Sequence, residues 1–170
     1  KEPFLKELSN ENDSDVSILI TLMFRYAKGY IKKALDNSLI QTVDEFAFLI
    51  TLMTFDSLTK TELINKQVME RTSGVEVIKR LLSQKMIAAF ADENDKRSVR
   101  VAITEKGKME IMSVLPEMSK VSKIVVGNLT KAEIKTLSYL LKKLDFYHND
   151  IFMNKRSFTL NEILDEARLN

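Results

Sequence analysis

The chain has 170 residues, 45% of them hydrophobic, with 26 Lys or Arg against 24 Asp or Glu. That length suits one domain, or one domain with a dimerisation arm, and only four Gly and two Pro favour a mostly helical protein with few loops. With no Cys and a single His, the composition excludes a disulfide framework, a thiol switch and a His-rich metal site within one chain.

In chain order, four Thr-x-x-Glu capping boxes mark helix starts: Thr42 with Glu45, Thr59 with Glu62, Thr130 with Glu133, and Thr159 with Glu162. Before the first of these, Asp13-Ser14-Asp15 caps a long helix predicted over 16–36. It is apolar at Leu19, Leu22, Met23, Tyr26, Tyr30 and Ile31, with a second stripe at Ile20, Phe24 and Leu35, a width that implies burial on two sides. Gly29 within it costs about 1 kcal/mol relative to Ala, which points to close packing there. A second helix is expected over 43–54, a turn at Asp56 and Ser57, and a third helix over 60–68. A fourth, over 73–85, turns Val75, Ile78, Leu81 and Leu82 inward and Glu76, Lys79 and Arg80 elsewhere. Two short strands over 86–90 and 98–103 flank a charged turn, with alternation at Val99, Val101 and Ile103. A fifth helix follows Thr104 and runs to 126 with a kink at Pro116. A sixth, over 131–152, carries Ile134, Leu137, Leu141 and Leu144 at a/d-like spacing, and a small helix over 158–169 closes the chain. No stretch of about 18 consecutive apolar residues occurs, so no membrane span and a cytoplasmic location are expected.

Two short helices joined by a tight turn and followed by a hairpin with a cationic tip make a winged helix-turn-helix, whose usual business is binding double-stranded DNA. The predicted fold is therefore mainly α with a small β-hairpin. Residues 42–103 form the winged helix-turn-helix region. Residues 1–41 and 104–170 form a helical dimerisation region, in one continuous domain. A chain this small cannot bury every face of helices one, five and six, which favours a homodimer; an intramolecular bundle is the alternative. From Arg71 to Lys108 there are nine Lys or Arg and five Asp or Glu, a local charge of +4, which leaves −2 for the remainder of a chain of net +2. Positive charge is thus concentrated where a phosphate-binding surface requires it. A merely solvated face would carry the same charge.

Arg97 is the foremost candidate: a guanidinium at a wing tip can enter a narrow minor groove of enhanced negative potential. Asp95 is placed to accept from Arg97 and orient its fork, and an ordinary surface ion pair is the bland alternative. Lys96 and Ser98 are candidates for phosphate contacts, and Arg100 for the exposed face of the second wing strand. At the start of the fourth helix, Thr72, Ser73 and Gly74 offer amides and small side chains to a phosphate. Lys79 or Arg80 could bond guanine and Glu76 could accept from cytosine. Thr59, Lys60 and Thr61 begin the preceding helix and are candidates to hold backbone phosphates, although Thr59 is needed as a cap in any case. Phe24, Tyr26, Tyr30, Phe46 and Phe48 are candidates to line a small-molecule pocket near the dimer junction, against the alternative of plain aromatic core. His148 reads as a surface or interface histidine, and the eight Met as core filler. With no candidate nucleophile beside His148, no Gly-rich phosphate loop and no ligand cluster, neither enzymatic activity nor a cofactor or metal is expected.

Asp95-Lys96-Arg97-Ser98 resembles the wing signature of the multiple antibiotic resistance regulator (MarR) family, Asp-x-Arg followed by a small residue. Ile103-Thr104-Glu105-Lys106-Gly107 resembles the Leu-Thr-x-x-Gly that closes that wing. The order of elements is similar over about 16–154. The resemblance implies a homodimer built from the terminal helices, an Arg97 that enters the minor groove braced by Asp95, and a lipophilic or aromatic effector bound between the dimer helices and the DNA lobe. It also implies repression by occupying a pseudopalindromic site as the commoner mode. Three departures stand out: a turn through Met69, Glu70 and Arg71 one residue longer, Met86 where Gly is common, and Phe90 where a basic residue is common. The competing function is a winged-helix module that binds a protein and not DNA; a small-molecule sensor with secondary DNA binding is a third.

Overall fold

The computed structural model describes residues 12–95 and 97–169. α1 spans Asn12–Leu35, with Asp13 and Asp15 in its first turn. These acids therefore sit inside the helix and complement its positive end, instead of preceding it as the sequence suggested. α2 spans Val43–Thr54 with Thr42 as its cap. β1 is the two-residue strand Leu58–Thr59, and α3 (Lys60–Lys66) follows at once behind the Thr59–Glu62 capping box. α4 covers Arg71–Ser83, two residues earlier at both ends than expected. The hairpin strands are β2 (Ile87–Ala91) and β3 (Val99–Ile103). The long helices α5 (Glu105–Val126) and α6 (Lys131–Asn154) come next, and α7 (Leu160–Leu169) is last.

Both α3 and α4 end in a Schellman stop. The Val68 amide donates to the Asn65 carbonyl at 3.0 Å and the Met69 amide to that of Ile64 at 3.4 Å. After α4, the amides of Lys85 and Met86 donate to the carbonyls of Leu82 and Leu81, each at 3.0 Å. Such a stop needs one residue with left-handed backbone, usually Gly. Here that residue is Val68, at φ 51°, or Lys85, at φ 60°. Met86 is the apolar residue after the stop and is fully buried, so the left-handed backbone falls one position earlier, on Lys85. The long turn between α3 and α4 has the same origin: Val68 turns the chain and Met69 packs back on the core.

The sheet is antiparallel with order β1-β3-β2. β1, too short to show alternation, pairs Leu58 with Val101 and Thr59 with Arg100, and so ties the helix-turn-helix to the wing. The core gathers Phe48, Leu49 and Leu52 from α2, Leu63 and Ile64 from α3, Val77, Ile78 and Leu81 from α4, and Ile111 and Val114 from α5. Thr104 joins wing to α5. Its hydroxyl lies 2.8 Å from the Lys85 carbonyl and 3.0 Å from that of Met86, while it accepts the Gly107 amide at 3.1 Å. A Cβ on Gly107 would sit 2.2 Å from the Met86 carbonyl oxygen, so the Thr-x-x-Gly spacing reflects a cap plus a backbone approach that excludes any side chain.

Away from this lobe the helices are bare. α1 lies along α5, yet Val16, Leu19, Ile20, Met23, Phe24 and Tyr26 remain exposed. α6 has no buried residue, and Leu137, Leu141 and Leu144 are 43%, 46% and 38% exposed. The close packing expected at Gly29 is not met among the described residues, where an added Cβ would find nothing within 4 Å. Pro116 lies inside α5, where it withholds the helical donor from the Met112 carbonyl. Lys155 fastens the start of the last connection, bonding Asp150 at 2.9 Å and Glu166 of α7. No helix among the described residues is long and apolar enough to cross a membrane.

Replacing Val68 by Gly relieves a left-handed β-branched residue and is expected to raise stability by about 1 kcal/mol. Gly107→Ala is expected to cost about 1–3 kcal/mol through the Met86 clash. Urea unfolding of the two variants measures both.

Candidate nucleic-acid interface

The phase of α4 decides which of its residues can meet a partner. Gly74, Val77, Ile78 and Leu81 are buried, and Thr72, Ser73, Glu76 and Lys79 are exposed. Two expected contacts fall on the wrong side. Gly74 is pressed against Ile64, whose Cγ1 would lie 2.5 Å from an added Cβ, and its amide is taken by the Glu70 carbonyl at 2.9 Å. It is a helix-packing residue and cannot receive a phosphate. Arg80 donates from Nε to Glu45 Oε1 at 2.9 Å, and Glu45 is fully buried. Arg80 Nε is therefore taken by a buried carboxylate, which turns that edge of the guanidinium toward α2 and away from the outward strip. Glu45 Oε2 accepts the Gln41 amide at 2.7 Å, so the box at Thr42 closes only halfway, through the Glu45 amide on Thr42 Oγ1 at 3.0 Å.

The outward strip begins at an open helix end. Thr42, Thr59, Thr104 and Thr130 each cap their helices with a side-chain oxygen, but Glu70 gives α4 no side-chain bond, and the first turn of α4 has no acid. The amides of Arg71, Thr72 and Ser73 are left as outward donors at the positive end of a helix, the arrangement that suits an oxyanion. Further along, Lys79 Nζ bonds Glu76 Oε1 at 2.7 Å in an exposed pair. That bond holds the Glu76 carboxyl below its usual range. Thr59 is occupied as a cap: its amide donates to Glu62 Oε2 at 2.7 Å, and its hydroxyl accepts the Glu62 amide at 3.1 Å. Lys60 is half-exposed and Thr61 exposed beside it.

The wing turn is built by Asp95. Its Oδ1 accepts the Arg97 amide at 3.0 Å and its carbonyl accepts the Ser98 amide at 2.8 Å. Asp95 thus braces the Arg97 backbone, not the guanidinium fork that the sequence suggested. Arg97 is exposed at the tip and Ser98 half-buried behind it; Lys96 lies outside the described residues. Arg100 does not lie free on the exposed face of its strand. Its Nε donates to Ser57 Oγ and its Nη2 to the Ser57 carbonyl, both at 2.8 Å, and its Nη1 to Asp92 Oδ2 at 3.1 Å. One guanidinium thereby pins the wing to the turn before β1. The Asn94 amide and then Arg100 hold the Asp92 carboxyl below the usual range, and the Thr59 amide and hydroxyl do the same for Glu62.

The structure does not bring the five aromatic candidates together. Phe48 is fully buried, Phe46 packs on the core, Tyr30 is half-buried, and Phe24 and Tyr26 are exposed on α1. Sequence reasoning missed Arg71, which it placed in the turn; it is the exposed first residue of α4. Lys60, Arg71 and Arg97 form no ion pair among the described residues. No group of His, Asp or Glu among the described residues could hold a metal ion.

A tri-helical lobe, a three-stranded sheet and a hairpin tipped by Arg97 define a winged helix-turn-helix protein. No family model matches the chain. It is 25% identical over 120 residues to the HTH-type transcriptional repressor NicR of Pseudomonas putida, covering 71% of this chain and 75% of NicR. It superposes on a cysteine-to-serine mutant of MarR from E. coli complexed with operator DNA with TM-score 0.71 and 24% identity, covering 76% of this chain and 93% of that one. Bordetella bronchiseptica BpsR, studied for regulation of its DNA binding by 6-hydroxynicotinic acid, gives TM-score 0.71 at 21% identity over 77% of this chain and 98% of its own. The chain has the winged helix-turn-helix fold of these MarR-type structures, and the relatives it matches by sequence are named as transcription regulators.

Arg80→Ala strands the buried Glu45 carboxylate and is expected to cost about 2 kcal/mol, discounted for the partial exposure of Arg80; Glu45→Gln in the same background should recover part of it. Glu62 and Asp92, with lowered values, give stability that is complete above the usual carboxylate range and lost as pH falls through those values. The urea midpoint should therefore drop between about pH 5 and pH 3, and drop less in Asp92→Asn.

Proposed function

We propose that this protein is a sequence-specific transcription regulator that binds double-stranded DNA as a homodimer. The observation that carries this reading is an uncapped, acid-free start of α4 together with Arg97, which forms no ion pair among the described residues and stands on a turn fixed by Asp95. α4 enters the major groove with Thr72, Ser73, Glu76 and Lys79 outward. Arg97 enters the flanking minor groove, where a guanidinium is drawn by the negative potential. Lys60, Thr61 and Arg71 meet backbone phosphates. Lys79 bonds guanine, and Glu76 accepts from cytosine.

The dimer reading is supported by the helices the protomer leaves bare. α6 buries nothing, and its Leu137, Leu141 and Leu144 repeat at the spacing of a helix seam. Two-fold pairing would set two recognition helices on half-sites about 10 bp apart, which calls for a pseudopalindromic site. The action is repression by occupying a promoter, in the cytoplasm. Release follows when a small lipophilic or aromatic ligand binds between the dimer helices and the lobe. Such a ligand acts only if it favours a lobe spacing that no longer fits DNA.

Selection from a pool of random duplexes, with wild type and Arg97→Ala at two salt concentrations, tests this. The expected outcome is enrichment of an inverted repeat, weakened by salt and by the substitution. No enrichment, with equal weak binding by both proteins, would turn the reading to a winged-helix module that binds a protein partner. For the dimer, Leu137→Glu with Leu141→Glu should convert the sedimenting species from dimer to monomer.

A further inference from the structure

We propose that the cleft between α3, the start of α4 and the α6–α7 connection is a seat for a phosphate of the DNA backbone, with Arg156 as its outer cation. The inference rests on the DNA-binding reading above. The cleft has a volume of about 350 Å³ and is lined by Thr61 of α3, Arg71 of α4 and Arg156 beyond α6, with Asn65 between them and Met69 and Met153 as apolar floor. Two guanidinium groups thus share one cavity, and no acidic side chain lines it. Like charges in one half-open cleft repel, and an oxyanion between them removes the repulsion.

Arg156 is held in place before any ligand arrives. Its Nε donates to the Phe152 carbonyl at 2.7 Å and its Nη2 to Asn65 Oδ1 at 3.0 Å. Its guanidinium carbon sits 3.9 Å from the centre of the Phe152 ring. These contacts use two of the five N–H donors of a guanidinium. The others have no partner among the described residues, and Arg71 has none at all there. A phosphodiester offers two free oxygens to two such groups, and its deoxyribose would rest on the methionine floor.

Continuity selects a DNA phosphate over a free anion. Thr61 is one of the residues the sequence assigned to backbone contacts, and Arg71 belongs to the uncapped first turn of α4. The cleft prolongs that surface onto the C-terminal connection. Lys155, the neighbour of Arg156, is bonded to Glu166 of α7. A seated phosphate would therefore fasten the last helix to the DNA lobe.

The test is the salt dependence of binding to a labelled random-sequence duplex of about 30 bp, long enough for two half-sites and flanks. Arg156→Ala should bind several-fold more weakly at low salt, with a log–log salt slope shallower by about 0.9 for each subunit, about 1.8 for the dimer. Arg156→Lys, which keeps the charge, should retain most of the slope. Asn65→Ala, which removes the bond to Arg156 but no charge, should also keep it. Thermal melting of each variant separates lost folding from lost contact, since a folded Arg156→Ala is required for the comparison and Arg156→Lys supplies a second. A wild-type slope in folded Arg156→Ala overturns this inference alone. Absence of salt-dependent duplex binding by the wild type overturns it together with the DNA-binding reading.

Discussion

A single buried carboxylate sets the geometry of the winged-helix lobe. Glu45 sits inside α2 with no exposed surface, and each of its oxygens is taken: one by the Gln41 amide, the other by Arg80 Nε. A carboxylate in such a place would cost several kcal/mol if left alone, so the fold is held to the arrangement that supplies both donors. The Arg80 bond reaches across 35 residues to α4 and fixes that helix about its own axis. Once Arg80 is turned to Glu45, Gly74, Val77, Ile78 and Leu81 must face inward, and the strip from Thr72 to Lys79 must face out.

Local signals in the sequence were dependable because the physics behind them is local. The Thr59 and Thr130 boxes close as expected, with Thr159 accepting the Glu162 amide in the same way. The hairpin lies where alternation and a charged turn placed it. The Thr-x-x-Gly signature proves to be a cap and a backbone approach. What escaped was tertiary. Gly74 looked like a small residue awaiting a phosphate, and its neighbour Ile64 is ten positions away. Arg80 and Arg100 looked like surface cations, and their partners Glu45 and Ser57 lie 35 and 43 residues off. Arg71 was missed because Val68 stops α3 without a glycine, which hid the true start of α4.

The molecule divides into a closed half and an open half. Within the lobe, three helices, a sheet and the first turns of α5 exclude water from one another. Along α1, the far end of α5 and α6, apolar side chains of regular spacing stay exposed among the described residues. The a/d spacing of α6 was legible in sequence because its apolar residues repeat regularly along one helix, whereas the inward face of α4 is shaped by neighbours far off in the chain. Gly29 fits this division, standing on a helix face where an added Cβ would meet no described residue within 4 Å.

Arg100 has a further consequence. A β-hairpin projecting from a small domain would ordinarily sample many angles, and a binding partner would have to select one of them. Here two bonds from one guanidinium to Ser57, steadied by a third to Asp92 within the hairpin, act together with the pairing of β1 to β3 to hold the hairpin to the body of the lobe. The entropy needed to immobilise the wing is lost when the chain folds, so little of it remains to oppose association. The distance from the wing tip to α4 becomes a property of the folded lobe. The lobe can then change how it grips a partner only by moving as a whole body.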